Sequence, residues 1–289
     1  MRLPWQLGFL APAMLFLAAA SIYPLVQLVR MSLSDVTPET IAGHWPFVGL
    51  RQLKAVFVND QFSQSLTNTA IYTLVVLLVA LVGGLIVALG LSRRGRLSKT
   101  TTTVMLAVWL APPIASGLMW KFLLSSDGAI NSVLGQLGIA RRPIEFLVTG
   151  RLPLLSVALV NAWIVVPFAA IVLRSALLDV PRDILEQADV DGANGRQRLQ
   201  HIVLPILRPA LLVLGSLIVV YAFKSFDFIY VMTGGGPGTS SSTLPFLGWK
   251  LSFVAYQYGQ GAAVAVIAMI IVSLFSIFYV RSVKDEVQA

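Results

Sequence analysis

Asp179 to Pro209 reads DVPRDILEQADVDGANGRQRLQHIVLPILRP. It is the longest concentrated run of charge in a chain that is 57% apolar and only 12% charged, so the way it sits between its apolar neighbours decides the fold. Asp179 is a fair N-cap, and Pro181 suits a first helical turn, where a missing N–H costs nothing. Ile184, Leu185 and Ala188 fall on one face while Asp183, Glu186 and Asp189 share another, so the spacing predicts a short, acidic, amphipathic helix. Gly192 lets the chain reverse, and Asn194 with Gln197 three residues on is a capping signal for a second helix. Leu199, Ile202 and Val203 continue that helix beside Arg196 and Arg198, and Pro205 and Pro209 are expected to interrupt it.

On either side of this segment the composition leaves the range of soluble domains. Leu7 to Val29 carries no charge and is long enough to cross a hydrocarbon core of about 30 Å. Ala18-Ala19-Ala20 resembles a signal-peptide cleavage site, but the apolar run continues past it and only Arg2 precedes it, so an uncleaved span is expected. Further spans are predicted at Leu66–Leu91, Thr100–Trp120, Leu152–Leu173, Pro209 to about Met232, and Gly261–Val280. Gly83, Gly84 and Ala88 give the second span a small face for close helix packing. Arg93, Arg94, Arg96 and Lys99 make the loop after it short and basic without an acid, which places it in the cytoplasm. Six spans then put both termini and the loop from Arg174 to Arg208 on the same side. The formal charge of +8 is scattered between apolar runs, which fits lipid headgroups and the positive-inside bias rather than nucleic acid.

The fifth span is unusual. Its uninterrupted apolar part ends at Phe223, and Lys224 and Asp227 must be accommodated near its outer end. Ionisable residues at that depth are functional candidates, although three residues apart on a helix they could also pair with each other. Asn161, Tyr221, Lys224 and Asp227 are therefore the candidates for a translocation path. Tyr221, Phe223, Phe226, Phe228 and Tyr230 could stack on a sugar ring or form the ordinary aromatic belt of a membrane surface.

Glu186 and Ala188, Gly192, and then Ile202, Leu204 and Pro205 stand at spacings that resemble the cytoplasmic "EAA" loop of membrane subunits in binding-protein-dependent ABC importers. Gln187 departs from the family's usual Ala. Met232-Thr233-Gly234-Gly235-Gly236-Pro237 resembles a stretch frequent in the carbohydrate and glycerol-phosphate subgroup, in subunits that pair with a sibling chain. The resemblance implies an all-α membrane protein of the type I importer permease kind, with six transmembrane helices and a cytoplasmic coupling-helix loop. Residues 1–65 would supply the first span and an external connection, and 66–289 a five-helix core with the coupling loop at about 179–209. It assigns Glu186, Gln187, Ala188, Asp191, Gly192, Ala193, Ile202, Leu204 and Pro205 to contact with an ATPase subunit. The partners it implies are a second six-span permease, two ATP-binding cassette subunits and an extracytoplasmic solute-binding protein. The location it implies is a bacterial or archaeal cytoplasmic membrane.

The chain has no Cys and no GxxxxGK[ST] loop, and His44 and His201 are isolated, so neither enzyme chemistry nor a metal site is expected. ATP and Mg would be held by the partner ATPases, with no cofactor in this chain. The competing reading is a secondary transporter or channel working without ATP. That class often shows an internal repeat and several buried carboxylates, and neither is evident here.

Overall fold

Backbone N–H and C=O groups cannot be left unpaired in hydrocarbon, so apolar runs of this length fold as helices that satisfy them internally. The computed structural model describes residues 4–91 and 96–287. Arg93 and Arg94, which orient the sequence-based topology, and the chain ends lie outside the described residues. Among those described there are helices and turns, with a single isolated antiparallel bridge between Ser34 and Phe47.

The described residues divide into two compact units. The first comprises Met1–Ser63 with Leu244–Ile271. It holds α1 (Pro4–Ser32), α2 (Arg51–Val58), and the later elements α12 (Leu244–Trp249) and the start of α13 (Tyr258–Val287). Arg51 and Gln52 at the head of α2 donate to the two oxygens of Asp35, at 2.6 and 3.1 Å. That closes the connection after α1 onto α2.

The second unit comprises Gln64–Thr243 with Val272–Ala289. It is built on α3 (Asp60–Gly90), α4 (Arg96–Trp109), α5 (Pro113–Leu123), α6 (Ala129–Gln136), α7 (Leu152–Leu178), α8 (Arg182–Val190), α9 (Gly195–Arg198), α10 (Leu204–Phe223) and α11 (Asp227–Met232). The small face expected on the second span is used. A Cβ added at Gly84 would lie 2.6 Å from that of Ala169, and one at Gly83 would lie 3.0 Å from Val166, so α3 and α7 touch backbone to backbone.

Two spans differ from the sequence-based expectation. Thr100–Trp120 is not one helix, because α4 and α5 meet at a 95° bend. Pro112 takes an extended conformation, as a residue before proline prefers, and Pro113 opens the next helix without an N–H to continue the old one. Pro209–Met232 is likewise not one helix. The span runs from Gly195 to Phe223 and stops, with Lys224 as its C-cap and Asp227 opening α11. Lys224 and Asp227 therefore lie on different helices, and the three-residue helical pairing is not formed. At the other end Pro205 and Pro209 do not interrupt the span. Leu199–Val203 widens into a π turn in which Leu204 N–H bonds the Leu199 carbonyl, so Pro205 enters the first turn of α10 with no bond to lose.

Candidate functional site

The loop between α7 and α10 is closed by contacts within itself. α7 continues to Leu178, so Asp179 is its C-cap and not the N-cap of the next helix; Pro181 takes the N-cap position of α8 in an extended conformation. At the end of α8, Gly192 has φ +79°, its N–H bonds the Asp189 carbonyl, and Ala193 N–H bonds the Ala188 carbonyl. This paired bonding around a left-handed residue is the Schellman termination, which favours glycine at that position. Asn194 then caps α9 reciprocally: its Oδ1 accepts from Gln197 N–H at 2.9 Å and its own N–H donates to Gln197 Oε1 at 2.9 Å. An Arg198–Asp189 ion pair ties the second helix back to the first.

Glu186, Gln187, Asp191, Gly192 and Pro205 are exposed, Ala193, Ile202 and Leu204 are half-buried, and Ala188 is buried. The predicted coupling set thus splits into a presented face and its support. Val190, one helical turn beyond Glu186, is 87% exposed, an apolar residue flanked by Asp189 and Asp191. It escaped the sequence reading because it lies off the Ile184–Ala188 stripe. Its i+4 spacing from Glu186 was the available signal.

Three of the four candidate path residues lie around Tyr72 of α3: Asn161 bonds its hydroxyl, and Tyr221 and Asp227 lie within electrostatic range of it. Asn161 on α7 is 0% exposed, and its Nδ2 donates to the Tyr72 hydroxyl of α3 at 2.7 Å and to Ser225 Oγ at 3.1 Å. Tyr72 Oη and Ser225 Oγ are themselves 3.2 Å apart. Asn161 Oδ1 is buried with no hydrogen-bond partner among the described residues. Ser225 sits in the break after α10, so this triad holds the break against α3 and α7. Lys224 and Asp227 flank Ser225 with exposed side chains, next to the stacked rings of Phe226 and Tyr230 at 5.3 Å. Tyr72 and Ser225 were absent from the sequence-based set, since only the fold brings them to Asn161.

Tyr221, one turn before the break, lines a cavity of about 220 Å³ with Trp109, Val165, Phe168, Leu217 and Ile218. The Trp109 and Phe168 rings stack there at 5.1 Å and 16°. The glycine-rich stretch after α11 is folded tightly. Gly234, Gly235 and Gly238 have positive φ and Gly236–Pro237 is cis. The Asn68 amide of α3 donates to the Thr239 and Ser242 carbonyls, and Ser65 Oγ donates to Ser242 Oγ. On the near side, α5 packs on α11, where Gly117 meets Val231 and Phe228 and Lys121 Nζ donates to the Val231 carbonyl at 3.0 Å.

The profile of the family described as "Binding-protein-dependent transport system inner membrane component" matches residues 80–285. The chain belongs to this family. It is a multi-pass membrane permease of an ABC importer, and not an enzyme. The permease is 31% identical to the trehalose/maltose transport system permease protein MalF of Thermococcus litoralis, over 96% of this chain and 93% of that one. It is 31% identical to the diacetylchitobiose uptake system permease protein DasB of Streptomyces coelicolor, over 96% of this chain and 88% of that one. In fold it matches the crystal structure of a bacterial ABC transporter involved in the import of the acidic polysaccharide alginate, with a TM-score of 0.82 and 19% identity over 97% of this chain and 96% of that one. These likenesses support the importer over the ATP-independent alternative.

Proposed function

We propose that this permease imports a carbohydrate-type solute across a bacterial or archaeal cytoplasmic membrane, with both of its termini inside, as one of two six-span subunits. Two ATP-binding cassette subunits would supply the drive by binding ATP and Mg, and an extracytoplasmic binding protein would deliver the solute. The observation that carries the reading is the α8–α9 loop. Its Schellman turn, capping box and ion pair make it a self-contained body. Glu186, Gln187, Val190, Asp191 and Gly192 are exposed on it and would meet the ATPase subunit. Such a body transmits a push to α7 and α10 without deforming.

The carbohydrate assignment draws on the names of the trehalose/maltose and diacetylchitobiose relatives. It also fits the aromatic cavity, because the apolar face of a sugar ring stacks on Trp109, Phe168 and Tyr221 while Lys224 and Asp227 at the adjacent break can bond its hydroxyls. The second permease is read as a sibling chain, on the resemblance of the Gly234-Gly235-Gly236-Pro237 stretch.

The test is uptake into vesicles holding the permease with its co-purified partners and the binding protein. ATP inside and labelled maltose, trehalose or diacetylchitobiose outside should give accumulation that stops without ATP. Accumulation driven by an ion gradient in the absence of ATP would contradict the reading.

A further inference from the structure

The end of α3 is gripped from two sides. The Leu91 carbonyl, in its last turn, accepts from Arg174 Nε of α7 at 2.9 Å and from Ser98 Oγ of α4 at 3.2 Å, while Leu91 N–H closes its own turn on Val87. Carbonyls at a helix C-terminus carry uncompensated negative charge, and a guanidinium is a strong partner for them. Behind this clamp α3 and α7 are already in backbone contact at Gly84 and Ala169, and Ala88 and Leu173 are fully buried. Ahead of it the chain has only a few residues, with Val180 buried, before α8 begins at Arg182. Among the described residues, Arg174 ties α7 to a second span close to where the chain enters the loop.

We propose that Arg174 is a positioning residue for energy coupling, which makes α3 follow α7 when the loop is displaced. The inference rests on the importer reading. At the opposite end of the two spans the directional bond from Asn161 to the Tyr72 hydroxyl already ties α7 to α3. At the loop end the contact at Gly84 is apolar, and the directional bond from Arg174 to a terminal carbonyl is what fixes the axial register there. The Arg174–Leu91 bond thus converts motion of one span into motion of two. Ser98 brings α4 into the same junction.

The experiment measures labelled sugar accumulated per ATP hydrolysed in vesicles, for the unaltered complex and for Arg174→Met, normalised to assembled complex. The sugar is whichever of maltose, trehalose and diacetylchitobiose the unaltered complex takes up. Arg174→Met should lower the ratio at least roughly fivefold, the lower end of usual coupling between distant sites, and Arg174→Lys should recover part of it. A chain with no cysteine allows a second arm. Leu91→Cys with Arg174→Cys should be uncoupled when reduced and recover its ratio when the two thiols are joined by a short bifunctional linker. If the methionine variant fails to assemble, the cysteine pair decides. An unchanged ratio in Arg174→Met, or linking that abolishes uptake instead of restoring it, overturns the proposal while leaving the importer reading intact. Absence of ATP-driven uptake by the unaltered complex would overturn the importer reading itself.

Discussion

The two ends of the fifth span are held by different kinds of contact. At the loop end, α8, the Gly192 turn and α9 are closed by bonds between residues three to nine positions apart, such as Asn194 with Gln197 and Asp189 with Arg198. At the opposite end, the break at Ser225 is held by Tyr72 and Asn161, 153 and 64 residues away, and the stretch that follows α11 is pinned by Gln64, Ser65 and Asn68 of α3. The first arrangement can move as a unit because little outside it must break. The second is part of the packing of α3 and α7, so a change there is felt by several spans. The two ends therefore differ in how much of the fold a displacement of each would have to break.

Removing the anchor is expected to have the largest effect on stability. Asn161→Leu takes a donor from the buried Tyr72 hydroxyl and the half-buried Ser225 hydroxyl, which should cost about 1–3 kcal/mol and lower the thermal unfolding midpoint of the purified complex in detergent. An unchanged midpoint would mean the break is held by apolar contacts alone. Gly192→Leu follows. Nothing lies within 4 Å of a Cβ added there, so its cost is the left-handed strain of about 1–2 kcal/mol plus bulk on the presented face. Uptake should fall roughly tenfold or more while the amount of protein in the membrane is unchanged. Normal uptake would remove the loop from the coupling interface.

Trp109→Leu removes one ring of the aromatic cavity, and losing stacking of about 0.5–1.5 kcal/mol should weaken sugar uptake up to about tenfold without altering assembly. Equal uptake by that variant would move the sugar path away from Trp109. The smallest effect is expected at the Asp189–Arg198 pair, which is partly exposed. Asp189→Asn should shift the unfolding midpoint by no more than the equivalent of about 1 kcal/mol, and less at high salt. A larger, salt-independent loss would show that the loop depends on that pair more than on its caps.

The same contrast explains what could be read from the sequence. Gly192, Asn194 and Gln197 are legible because their partners are their neighbours, and the glycine is demanded by its own backbone. Helices long enough to cross a membrane were evident from uninterrupted apolar runs. The breaks at Pro112 and Ser225 were missed for different reasons. Pro112-Pro113 is a local signal for the first, and it plays no part in the reading of Thr100–Trp120 as one span. At Ser225 the apolar run does stop where the helix does, at Phe223, but the bonds that hold the break come from spans far away in the chain. Pro205 misled in the other direction, since a π turn absorbs it without an interruption. The Tyr72–Asn161–Ser225 triad could not be assembled from spacing at all.

The importer reading requires Asp179–Pro209 to engage an ATP-hydrolysing partner of this permease. Its most direct test is affinity purification of the chain from its host in mild detergent, beside a variant carrying Glu186→Lys and Gly192→Leu. The unaltered chain should bring with it a soluble P-loop ATPase and a second six-span chain, and the variant should keep the second chain and lose the ATPase. Retention of the ATPase by the variant at the unaltered level, or an unaltered chain that purifies with no ATPase, would contradict it.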